Sequence, residues 1–281
     1  MWFKALMTRT RRTLLYAGTA LLGAAVTTGG GRELLRRQAA IARARIGKPL
    51  GEDALLADKT WKKKYDGPTL RLLVLGDSIA AGLGAERPKD TLGARIARGL
   101  ATALQRPVAL HTAAVVGSES SALAGQLDAL PAGYHADVAV IVVGGNDVTH
   151  RVPVALAARQ LEETVVRLRA QGTEVVVGTC PDLGALRPVP QPLRSLGSRM
   201  SRQLAMAQAE VAVRNGAHAV SLAHVVGPFF ITNPDEMFSL DRFHPSALGY
   251  KRTAKALLPS VLLALGHAAT VPFGHHAPAA T

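Results

Sequence analysis

From residue 70 onward the chain alternates short apolar runs with longer stretches of helical periodicity. The apolar runs cover 70–75, 108–114, 138–143, 175–179 and, briefly, 219–222, and each reads as a strand. Helical patterns lie between them at 91–104, 121–130, 153–171 and 199–215, with a last one over 246–265. Strict alternation of β and α predicts a parallel sheet covered by helices on both faces. In such sheets the reactive loops lie beyond the carboxyl ends of the strands, so the residues that follow each run are the ones to inspect.

The first 69 residues do not follow that pattern. An uncharged run over 13–28 comes after Lys4, Arg9, Arg11 and Arg12, which is the order of a signal sequence or membrane anchor and loosely that of a twin-arginine export signal. Including Gly29 to Gly31 it is near the lower limit for spanning ~30 Å of hydrocarbon. Residues 1–31 are therefore read as signal or anchor, and the domain as membrane-associated or exported. Arg32, Arg36, Arg37, Arg43, Arg45 and Lys48 follow the run, so 32–69 reads as a basic linker. In it Trp61 stands beside Lys62, Lys63 and Lys64, placed either at a membrane interface or against the domain edge. The small-residue segment 266–281 reads as a flexible tail.

Composition fits this division. Hydrophobic residues make up 48% of the 281 residues and aromatics only 4%, so the core is built from Ala, Leu and Val, as suits helices on a parallel sheet. The net charge of +13 is concentrated in the arm, where 14 Lys and Arg up to Lys64 stand against 4 Asp and Glu. No basic stripe with interleaved aromatics follows, which argues against a nucleic-acid partner. Cys180 is the only cysteine, so no disulfide forms within the chain. His111, His135, His150, His218 and His224 lack metal-ligand spacing, and the glycines at 76, 82 and 84 do not match a dinucleotide loop. Neither a metal nor a cofactor is expected.

The strand ends carry the chemistry. Gly76-Asp77-Ser78 follows the first run, Gly117-Ser118 the second and Gly144-Gly145-Asn146-Asp147 the third; Asp241-Arg242-Phe243-His244-Pro245 precedes the last helix. Ester cleavage needs a nucleophile, a base, an anion to orient the base and donors for the oxyanion. Ser78, His244 and Asp241 supply the first three. The amides of Ser78 and Gly117 and the side chain of Asn146 supply the donors. Asp77 and Asp147 read as loop braces.

These four blocks resemble those of the SGNH or GDSL serine esterases and lipases, over roughly residues 70–265. The resemblance implies a flavodoxin-like three-layer α/β/α sandwich with a five-stranded parallel sheet. It also implies Ser78 as nucleophile, Gly117 and Asn146 in the oxyanion hole, and His244 as base supported by Asp241. Ile79 stands where the family customarily has leucine, a change confined to packing.

The implied activity is hydrolysis of carboxylic esters, either lipid or lysolipid esters or acyl groups on cell-envelope carbohydrate. Acyl transfer to an alcohol and a noncatalytic membrane-tethered binding module are the alternatives. The proline-rich 181–196 loop reads as a wall of the pocket. The segment 225–238, with Phe229, Phe230 and Phe238, packs the last helix or forms a second wall.

Overall fold

The structure, a computed structural model, describes residues 30–270 and 272–278. The apolar run 13–28, and with it the proposed anchor, lies outside the described residues. Among the described residues no helix is long and apolar enough to cross a membrane.

A helix over 30–46 (α1) leads to strand β1 (Thr60–Trp61) and then to β2 (Leu70–Gly76), which runs straight into the short helix α2 (Ser78–Ala81). The order continues α3 (Leu92–Leu104), β3 (Val108–Thr112), α4 (Leu123–Asp128), β4 (Val138–Val142), α5 (Gly145–His150), α6 (Val154–Ala170), β5 (Glu174–Gly178) and α7 (Leu193–Arg214). It closes with β6 (His218–Val220), three short helices α8 (Leu222–Val225), α9 (Gly227–Thr232) and α10 (Pro234–Met237), the long α11 (Ala247–Ala264) and β7 (His275–His276).

The sheet has seven strands in the order β1-β3-β2-β4-β5-β6-β7. Its five inner strands are parallel and coincide with the five apolar runs. Because side chains alternate across a strand, Leu72 and Val74 enter one core with α3 and α11, while Leu73 and Leu75 enter the other with α6 and α7. Strand order reverses around β2, whose neighbours are β3 and β4, so α2 starts at the topological switch point.

Three readings of the sequence are corrected. The sheet is mixed rather than five-stranded and wholly parallel, because β1 and β7 add an antiparallel strand at each edge. The 32–69 linker contains α1 and β1. Trp61 is buried at the domain edge, its Nε1 donating to the Ala57 carbonyl at 3.2 Å. The 266–281 tail, read as flexible, supplies β7, tied down by a 2.7 Å hydrogen bond between Ser260 Oγ and His275 Nδ1. Two-residue strands are too short to show a period, and their pairing is decided by tertiary contact. Helix α7 also starts six residues before 199: Gln191 Oε1 accepts from the Ser195 amide at 3.1 Å, and the prolines before it suit a helix start.

Candidate active site

Gly76 ends β2 with φ +132°, and Asp77 caps the next turn by accepting from the Ile79 amide at 2.9 Å. The reversal sets Ser78 as the first residue of α2, its amide left without an intrahelical acceptor. On the far side of the molecule's sequence, Asp241 Oδ1 accepts from the Phe243 and His244 amides at 2.9 and 3.0 Å, closing a tight turn. That turn lets Asp241 Oδ2 accept from His244 Nδ1 at 2.5 Å while the Ser78 hydroxyl donates to His244 Nε2 at 2.9 Å. The Nδ1-protonated tautomer satisfies both bonds.

Gly84 allows the two loops to meet. A β-carbon there would lie 2.6 Å from the Pro245 carbonyl oxygen and 3.1 Å from the His244 β-carbon. Behind it, the buried Tyr250 hydroxyl donates to the Leu83 carbonyl at 2.6 Å, locking α11 to the segment after α2. Tyr250→Phe leaves that carbonyl without its donor, a loss of about 1–3 kcal/mol and a fall of several degrees in melting temperature by calorimetry. An unshifted transition would remove this lock from the account.

Asn146 sits in the first turn of α5 and donates one Nδ2 hydrogen to the Ser118 carbonyl at 2.9 Å. Its second hydrogen is uncommitted by that bond. Gly117 precedes Ser118 with φ +82°, exposed, in the loop after β3. Asp147 braces this loop, both carboxylate oxygens accepting from the Ser120 amide at 3.1 Å.

Two braces were not legible in the sequence. The buried Gln126 side chain clasps the Gly76 peptide from both sides: Oε1 accepts from the amide at 2.9 Å and Nε2 donates to the carbonyl at 2.8 Å. Gln208 does the same between strand ends, accepting from the Cys180 amide at 2.7 Å and donating to the Val143 carbonyl at 3.0 Å. The available signal was a glutamine in the apolar stripe of each helix.

Electrostatics divides the carboxylates. Burial raises Asp241, but the ring of His244 and the amides of His244 and Phe243 outweigh it and hold the carboxyl below its ordinary value. Asp77 is pushed up to about 6, chiefly by burial, against the pull of the Ile79 amide. Burial likewise raises Asp147, and takes the Cys180 thiol well above its usual value. A raised carboxyl favours the fold when protonated, so the Asp77 contribution is fully present below the ordinary value near 3.8 and is lost as pH rises through about 6. Relative to Asp77→Asn, the native protein should therefore gain on the order of 2–3 kcal/mol between pH 8 and pH 4 in denaturant titrations. A pH-independent difference would count against the raised carboxyl.

Beside Ser78 and Asn146 lies a small cavity of about 70 Å³, walled by Leu183 and Leu186, by Leu222 and Val226, and by Phe230 and Phe238. Both segments that the sequence offered as pocket walls, 181–196 and 225–238, contribute to it.

The sequence model of the GDSL-like lipase/acylhydrolase family matches residues 74–252. The protein named GDSL-like esterase Rv1075c, from Mycobacterium tuberculosis, is 37% identical over 282 residues, covering 95% of this chain and 88% of that protein. Among solved structures, the lipase Lip_vut3 from a goat rumen metagenome superposes with a TM-score of 0.55 at 19% identity, over 70% of this chain and 98% of that one. The lipase/acylhydrolase of Enterococcus faecalis does so with a TM-score of 0.55 at 21% identity, over 67% and 93%. Both structural likenesses concern the fold.

Proposed function

The chain belongs to the GDSL-like lipase/acylhydrolase family and is a carboxylic ester hydrolase; from there we propose that it works through an acyl-enzyme on Ser78. The observation that supports this route is the continuous relay from Ser78 Oγ through His244 to Asp241, at 2.9 and 2.5 Å. His244 Nε2 takes the serine proton as Oγ attacks the ester carbonyl, and Asp241, held ionised, stabilises the imidazolium. The Ser78 and Gly117 amides and the second Asn146 Nδ2 hydrogen receive the oxyanion. His244 then hands the proton to the departing alcohol, and water, activated the same way, releases the acid.

The size of the cavity beside Ser78 favours short acyl groups. At about 70 Å³ it is small, and the aromatic pair Phe230–Phe238, with centroids 4.9 Å apart, stands in its wall. The test is a p-nitrophenyl ester series from acetate to palmitate together with labelling by an alkyl phosphonate. Acetate and butyrate should be turned over best, and peptide mass mapping should find the adduct on Ser78. An adduct elsewhere would reject the acyl-enzyme route, and a palmitate optimum would reject the short acyl pocket.

The arm is also proposed to hold the domain against anionic lipid. Leu34 and Ile41 are 47% and 43% exposed on α1, and Arg32, Arg36 and Arg43 are exposed on the same helix. Full-length protein should float with phosphatidylglycerol vesicles and be released by high salt; protein that stays at the bottom of the gradient rejects the tether.

A further inference from the structure

A second and much larger space, a groove of about 1,090 Å³, runs along the loop that carries His244. Ser239, Leu240 and Arg242 border it, and so does Gly84, whose backbone packs on the His244 β-carbon. Its other bank belongs to the arm and to the 187–188 bend. Arg45, near the end of α1, lines it there, with Nη1 donating to the Pro188 carbonyl at 3.3 Å. Phe238 borders both this groove and the small cavity beside Ser78, so the two spaces share a wall.

A general acid must stand beside the group that leaves, so a space flanking the His244 loop is on the alcohol's side of the ester. At that volume, near the upper end of the ~300–1,000 Å³ of drug-sized sites, the open groove has room for a large alcohol. Its chemistry follows from the rim. Arg45, Arg187 and Arg242 line it together with Glu86, Asp235 and Glu236, and none of the six is in an ion pair among the described residues. An alkyl chain laid against these six charges would desolvate them without pairing them. A hydroxyl both donates and accepts, and so suits carboxylates and guanidinium groups together. Leu50, Phe238 and Leu248 offer apolar surface for C–H faces. Arg242 adds an independent sign: it holds φ +56°, a left-handed conformation natural to glycine, yet carries a long cationic side chain that lines the groove.

We propose that this groove binds the leaving alcohol, that the alcohol is an oligosaccharide, and that Arg45 of the N-terminal arm is one of its contacts. The assignment rests on the Ser78 acyl-enzyme route proposed above. In it the acyl–O(saccharide) bond breaks as the acyl–Oγ bond forms, and His244 passes the serine proton to the saccharide oxygen. Water then cleaves the acyl-enzyme to the carboxylic acid and free serine.

The test compares full-length protein on acetylated cellobiose, ethyl acetate and lysophosphatidylcholine, with Arg45→Ala and Glu236→Gln alongside and melting curves for each. The kcat/KM ratio of acetylated cellobiose to ethyl acetate should be about tenfold or more, and should fall about three- to tenfold, through KM, in at least one variant that keeps its melting temperature. A ratio near one in the native protein, a ratio unmoved in both variants, or preference for the lysolipid would overturn the assignment. Failure of the Ser78 route would be seen separately, as phosphonate labelling away from Ser78.

Discussion

Replacing Ser78 with alanine is expected to lower kcat/KM for every ester by roughly 10⁴–10⁶-fold while the protein melts as before. The side chain is only 6% exposed and is anchored by a single hydrogen bond, to His244 Nε2. Alanine fits the first position of α2 with a favourable helix propensity, and the turn that places it is held by Gly76, Asp77 and Gln126 through hydrogen bonds that do not involve Oγ. Activity and stability should thus separate cleanly. Residual turnover above about a thousandth of native, with an unchanged fold, would show that another group attacks the ester.

The opposite separation is expected at Gly76→Ala, where no folded protein should be recovered. A β-carbon on Gly76 would lie 1.8 Å from the Val142 carbonyl oxygen, and that oxygen is itself held by the Asp77 amide at 3.0 Å. The φ of +132° is strained for alanine whatever space is made. The clash is backbone against side chain at the centre of the sheet, so relief means parting β2 from β4, and a destabilisation beyond about 4–5 kcal/mol follows. Soluble Gly76→Ala protein with a native circular dichroism spectrum and melting temperature would refute this account of the Gly76–Ser78 turn.

How much of this the sequence carried depends on the kind of residue. Val138–Val142 is buried on both faces without interruption, and β2 and β5 are nearly so; runs of that kind declare themselves. The relay was equally open to reading, because Asp241 and His244 lie within one turn and Ser78 directly follows its strand. The conformational demand on Gly76 was not, since its cause is a carbonyl on β4. Gln38 shows the limit best. It is polar, sits among arginines, and gave no reason to be placed in a core. Yet it is 7% exposed, accepting from the Leu193 amide at 3.0 Å and donating to the Gln191 carbonyl. Through those bonds a segment that reads as a linker is docked on the 181–196 stretch, which also lines the cavity beside Ser78. Periodicity reports which face is apolar; it does not report a buried amide that satisfies a loop backbone.

Ser78 and His244 are 166 positions apart, and β7, which pairs with β6, lies later still. During synthesis Ser78, its turn and the first parallel strands leave the ribosome long before His244 does. Until the Asp241–His244 turn and α11 have emerged and docked, Ser78 lacks its hydrogen-bond partner and the relay is incomplete. The β6 edge stays open until β7 has emerged to cover it, and until then it can pair with another copy.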